Sequence, residues 1–223
     1  SLPSLPRSRR AFALACAATL LALQLAAAAG LFNRPVPSLD VPMTAAELCE
    51  GYEAFGPPNL DMPLRDASMP GMLQCYDPAT AQRIGAVPVV TPEEVRERIA
   101  RARAAQRAWK ESTFAQRRHV LRIFLKFILE HQDDIVRLCC RDSGKTELGA
   151  SFGEVLPTCE KIQWMIDNGE RILSPQPRAA ARIMAYKEAW VEYHPFGVLG
   201  VISPFNYPFT NFLNHIISGL FSG

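Results

Sequence analysis

Pro195-Phe-Gly-Val-Leu-Gly-Val-Ile-Ser-Pro-Phe-Asn-Tyr-Pro208 is the stretch on which the reading of this chain turns. An apolar run, Val198 to Ile202, gives way there to an amide side chain, Asn206, set between Pro204 and Pro208. Proline restricts φ and removes a backbone donor, so Pro204 should end a strand's ladder, and Pro208 suits the first turn of a helix. The pattern predicts Asn206 on a strand-to-helix turn. In open α/β sheets ligands bind beyond the carboxyl ends of the strands, where a fixed NH2 donor can meet a carbonyl oxygen and stabilise an oxyanion. The plainer alternative is an asparagine that bonds its local backbone, as turn asparagines do.

Working back from that turn, Ala181 to Glu192 suggest strands approaching Pro195, and Val198 to Ile202 read as the first central strand of a parallel sheet. Before them, Glu147 to Leu173 forms a long helical pattern containing Pro157, which should kink or break it near residues 153–157, because a proline inside a helix removes a hydrogen bond. Thr91-Pro92-Glu93-Glu94 is a helix start with a capping box, predicting a helix to about Trp109. Amphipathic helices are predicted over Phe114 to Glu130 and Asp133 to Arg141. Met72 to Tyr76 and Arg83 to Val90, around Asp77-Pro-Ala-Thr80, predict a hairpin. Gly144-Lys145-Thr146 superficially resembles the end of a phosphate-binding loop, but the required first glycine falls on Cys139 and the preceding run is helical, so it reads as a helix-to-helix turn.

Toward the amino terminus the character changes. Prolines recur from Asn33 to Pro70, as in a tether, and residues 11–32 carry no charge, with Arg7, Arg9 and Arg10 before them and Arg34 after. That run can span a bilayer core of about 30 Å. A signal anchor, a signal peptide cut near Ala26 to Gly30, and an Arg/Ser/Ala-rich transit peptide are the three readings, in that order. An anchor implies a single-pass protein of the endomembrane or secretory system, a transit peptide an organelle address. The arginines place the amino terminus on the cytosolic side and the folded part in the lumen, whereas the cysteines, which show no disulfide framework, favour a reducing compartment. The expected organisation is a targeting or anchor segment over 1–32, a Pro-rich linker over 33–70 and a folded domain over 71–223.

Composition narrows the function. With 223 residues, 48% of them hydrophobic, and a net charge of +2, the chain can build one or two globular domains and offers no electrostatic footprint for nucleic acid. The 6 cysteines and 4 histidines lack metal-ligand spacing, so no metal site is expected. The adjacent pair Cys139 and Cys140 reads as small buried hydrophobes. The lack of an initiator Met and the apolar end, Ile216 to Gly223, read as a fragment.

The opening stretch also resembles the Pro-Leu-Gly-Val…Pro-Trp-Asn-x-Pro block of the aldehyde dehydrogenase superfamily. Gln74-Cys-Tyr-Asp-Pro-Ala-Thr80, Arg141-Asp-Ser-Gly-Lys-Thr146, Gly153-Glu-Val and Cys159-Glu-Lys-Ile-Gln-Trp164 support it, and the membrane-associated family 22 branch is the most similar. The resemblance covers residues 71–223 and implies an α/β fold of which this is the amino-terminal part: a helical layer and the start of a parallel dinucleotide-binding sheet. It implies oxidation of an aldehyde to a carboxylic acid through a cysteine thioester, with NAD or NADP as cofactor. Asn206 would be an oxyanion donor, and Ile202, Ser203, Pro204 and Phe205 would line the nicotinamide side of the cleft. Phe205 stands where the family usually has tryptophan, keeping the aromatic face and losing the indole N–H; core packing remains an alternative for it. Homo-oligomerisation is implied by analogy only. The family's nucleophilic cysteine has no match here, so this chain alone is expected to be inactive, and a non-catalytic membrane-anchored interaction module is the alternative function.

Overall fold

The computed structural model describes residues 36–39 and 59–223. Its helices begin where short-range chemistry satisfies their free amides. Thr91 caps α1 (Pro92–Trp109): its hydroxyl accepts from the Glu94 amide at 3.2 Å while the Glu94 carboxylate accepts from the Thr91 amide at 2.7 Å. Thr113 and Gln116 repeat the box at α2 (Phe114–Glu130). In α3 (Gln132–Ser143) the C-cap is Gly144 in the left-handed region at φ 71°, where a Cβ is unfavourable. Thr146 then caps the short α4 (Glu147–Ala150). The Gly144-Lys145-Thr146 turn thus closes one helix and opens the next, as expected.

The predicted kink takes a specific form. A π-helical turn, Ser151–Val155, joins α4 to α5 (Leu156–Leu173), and Pro157 lies in the first turn of α5. Having no N–H, Pro157 leaves the carbonyl of Gly153 without its intrahelical donor. The last helix, α6 (Pro208–Ser222), starts at Pro208 as the sequence predicts.

Packing of α2, α5 and α6 makes the core, around Leu121, Leu125, Ile128, Ile162, Ile217 and Phe221, all at most 2% exposed. Each such side chain contributes roughly 1.5–3 kcal/mol by leaving water. Close approach of α5 and α6 needs Gly169, where a Cβ would lie 2.3 Å from Cε1 of Phe221. By contrast α1 buries no residue and is tied on by hydrogen bonds from Trp109 Nε1 to the Leu220 carbonyl (2.8 Å) and from Gln106 Nε2 to the Gly223 carbonyl (2.9 Å).

Two antiparallel hairpins flank the helices. The first pairs β1 (Met72–Tyr76) with β2 (Arg83–Pro88), in register Met72 to Pro88, with an irregularity between Cys75 and Tyr76. It ends two residues short of the expected Val90. The second pairs β3 (Gln176–Arg178) with β4 (Ala189–Val191), enclosing a 3₁₀ turn, Arg182–Met184. Only its return strand and the turn fall within the strand region expected over Ala181 to Glu192.

The expected first central strand does not form. Val198 to Ile202 has no strand pairing, and among the described residues there is no parallel sheet. A strand is defined by hydrogen bonds to a neighbouring strand, and no described strand pairs with this segment. The apolar residues show it: Phe196 is 94% and Ile202 97% exposed.

The uncharged run over residues 11–32 lies outside the described residues. Among those described, no helix is long and apolar enough to cross a membrane. The described parts of the linker lean on the domain: Lys126 donates to the Val36 carbonyl (2.7 Å), Ser38 to Glu130 (3.1 Å), and Asn59 to the Ala81 carbonyl (2.9 Å).

Candidate functional site

Residues 203–208 leave the extended run and turn into α6. Asn206 and Phe205 occupy the turn itself, both exposed, Phe205 by 83%. Among the described residues the Asn206 amide makes no hydrogen bond, so its two N–H donors are unengaged. A turn asparagine serving its own backbone would be engaged. Ser203 adds a second unused group, its hydroxyl buried with no partner.

The turn is anchored from behind. Tyr207 occupies the N-cap position of α6 without offering a side-chain cap. The missing cap comes from another helix: Glu154, in the π turn and 0% exposed, accepts from the Thr210 backbone N–H at 2.9 Å through Oε2. Its other oxygen pairs with Lys145. The Thr210 hydroxyl lies 3.0 Å from the Gly153 carbonyl freed by Pro157 and 2.7 Å from that of Glu154, which also accepts from Thr158 at 2.7 Å. Lys145 Nζ stands 3.6 Å from the centre of the Tyr207 ring, a cation–π contact. Gly153 also adjoins the ring and has no Cβ; one would sit 2.6 Å from Tyr207 Cε1.

The thiols are elsewhere and unsuited to attack. Burial, and next Glu154, pushes the Cys139 thiol up to about 12, and burial, followed by Glu160, does the same to Cys159. Cys75 and Cys140 are also raised, chiefly by burial, with Asp142 and Glu147 respectively adding to it. A nucleophilic cysteine needs the opposite shift. All four are free, and the expected buried character of Cys139 holds, while Cys140 is half-buried. Cys16 and Cys49 lie outside the described residues. Among the described residues no cluster of His, Cys, Asp and Glu could hold a metal.

An open cleft of about 910 Å³ lies between α1, α6 and residues 193–201. Its walls stop short of residues 202–206. It flanks the unpaired extended segment, and the exposed donors sit on the turn instead. There Ile202 and Phe205 are exposed apolar side chains, Asn206 is an exposed amide, and the Ser203 hydroxyl is buried without a partner.

Residues 65–223 match the family model described as the Aldehyde dehydrogenase family. The chain belongs to that family. It is 45% identical over 157 residues to an aldehyde dehydrogenase-like protein of Saccharomyces cerevisiae, covering 69% of this chain and 24% of that one. To an aldehyde dehydrogenase-like protein of Schizosaccharomyces pombe it is 39% identical over 155 residues, covering 70% and 30%. A succinate-semialdehyde dehydrogenase [NADP(+)] of Escherichia coli is 32% identical over 146 residues, covering 64% of this chain and 29% of its own. Among solved structures, an E. coli NADP-dependent enzyme superposes with a TM-score of 0.60 at 28% identity, over 68% of this chain and 31% of that chain. The chain therefore spans about a quarter to a third of the length of the relatives it matches.

Within this aldehyde dehydrogenase domain, Ile202, Pro204, Phe205 and Asn206 are exposed along one ribbon, and Ser203 between them is half-buried. What the sequence reading missed is the set behind the ribbon, Lys145, Glu154, Tyr207 and Thr210. A usable signal existed: an acidic residue in an apolar helical run, next to a proline-directed kink, needs a partner.

Proposed function

We propose that this chain supplies the oxyanion-donor side of an NAD(P)-dependent aldehyde dehydrogenase that oxidises an aldehyde to a carboxylic acid. The observation that carries the proposal is the exposed, unengaged amide of Asn206 at the head of α6. When a thiolate adds to the aldehyde carbon, the carbonyl electrons move onto oxygen, and an amide N–H aimed at that oxygen stabilises the charge. The cofactor, when bound, accepts the hydride, and water then releases the acid. Ile202 and Phe205 would cover one face of the nicotinamide, and Ser203 and Pro204 would shape its edge. None of the 6 cysteines matches the family's nucleophile in the sequence, so the purified 223-residue chain should show no thiol-dependent reduction of NAD(P)+. The resemblance to NADP-dependent relatives leaves either dinucleotide as the cofactor.

The test is steady-state kinetics on the polypeptide that carries these residues in the cell. Asn206→Ala should lower kcat by about 10²–10³, as loss of one oxyanion donor does elsewhere, with little change in the KM for NAD(P)+. An unchanged kcat would overturn the assignment. Membrane attachment through residues 11–32 is part of the same proposal, supported by the uncharged run between arginines. Release of the protein by alkaline carbonate would remove it.

A further inference from the structure

We propose that Lys145 and Glu154 are positioning residues for Asn206: Glu154, seated in the π turn and paired with Lys145 from the loop after α3, caps α6 from outside and fixes the pose of the turn at residues 203–208. This rests on the oxyanion role given to Asn206 above.

The first ground is that the arrangement is a poor way to gain stability. Glu154 is 0% exposed and the side chain of Lys145 only 18%. Desolvating two charges costs several kcal/mol each, and apolar residues of the same size commonly do as well or better. What the pair provides is geometric. Every polar atom of Glu154 has a directed partner: Lys145 on Oε1, and the Thr210 amide on Oε2.

The second ground is that three irregularities converge on this turn. The π turn brings the Glu154 side chain to the amino end of α6, a use typical of π-bulges beside functional sites. Pro157 frees the Gly153 carbonyl, which the Thr210 hydroxyl occupies. Gly153 leaves room for the Tyr207 ring, and Lys145 covers that ring. Tyr207 and Thr210 are thus held by side chain and backbone, while Asn206, immediately before them, is left with its donors free. A helix cap supplied by α6 itself would not couple the turn to the loop after α3 and to the π turn. This one does.

The test is amide exchange and side-chain NMR on the 223-residue chain, paired with kinetics on the polypeptide that carries it. In Lys145→Met/Glu154→Met the buried charges are gone together, so the unfolding midpoint should stay near that of the native chain. The Thr210 amide should nonetheless exchange about tenfold faster, the scale of a lost cap, and the Asn206 side-chain NH2 signals should move. In Glu154→Gln the single carboxamide oxygen cannot serve both Lys145 and Thr210, so the same two local signals should change even if the double variant fails to fold. In both variants kcat should fall by up to about 10²-fold, the cost of misplacing a group by about 1 Å, with the KM for NAD(P)+ unchanged. A folded variant with native Thr210 exchange and native Asn206 signals would overturn the proposal. Should those signals move while Asn206→Ala leaves kcat untouched, the oxyanion reading falls and the positioning of the turn stands.

Discussion

Arg117, in the first turn of α2, donates through Nη1 to the Phe221 carbonyl at 3.1 Å, in the last turn of α6. The same guanidinium donates to the Lys110 carbonyl (3.0 Å) and the Ser112 hydroxyl (2.9 Å), and lies over the Phe114 ring at 5.4 Å. A cation suits the negative end of a helix, and this one is only 7% exposed. Burial lowers its pKa. Arg117→Met would leave two carbonyls unpaired and should destabilise the domain by about 3 kcal/mol, read as a lower urea midpoint. Arg117→Lys should recover only part, since one ammonium cannot reproduce the three-way fork.

Gly153→Ala tests the socket behind the turn. The new methyl would meet Tyr207 Cε1 at 2.6 Å, so the ring or the backbone must shift. Overpacking of this kind costs about 1–3 kcal/mol, and exchange should rise at residues 206–210. Gly153→Ala/Tyr207→Leu, which removes the obstructing ring, should recover most of the stability by thermal melting, and failure to recover it would put the strain elsewhere.

The buried thiols predict an alkaline limit. Cys139 and Cys159 ionise at about 12 in the folded chain against the ordinary 9.0. Because the folded value is raised, their contribution to stability is intact below 9.0 and is lost as pH rises through the interval up to about 12. Unfolding midpoints should therefore fall above about pH 9, and less steeply in Cys159→Ala. At neutral pH a disulfide reagent should leave both thiols of the native chain unmodified.

Acid acts on a different element. Donation from the Thr91 backbone N–H, and then from its hydroxyl, holds Glu94 below its ordinary 4.5. A lowered carboxylate contributes above its unfolded value, and the contribution goes as pH falls through the folded one. Protection of the amides at the start of α1, taken relative to intrinsic exchange at each pH, should fall below 4.5. Thr91→Ala should cost about 1 kcal/mol and make that fall shallower.

The parts legible in the sequence were those whose partners are a few residues apart. The capping box of Thr91 and Glu94 spans three positions, and the bounds of α1 and α2 match the periodic pattern. The turn after Tyr76 and the stop at Gly144 are also local. Where the partner is distant, the reading failed. Val198 to Ile202 has the composition of a strand but no described neighbour to bond, and the pairing of Gln176 with Val191 crosses a loop that carries no obvious turn signal.

The sequence by itself determined the family, the helix boundaries, the position of Asn206 between two prolines and the break at Pro157, because each follows from covalent geometry or from groups within one turn. Only the tertiary structure decided that this break is a π turn whose Glu154 caps Thr210, 56 residues later. A buried carboxylate must find its partners wherever the packing of α5 on α6 leaves them, and no local pattern records that meeting. The turn around Asn206 is legible as a motif, but what holds it is a contact between helices.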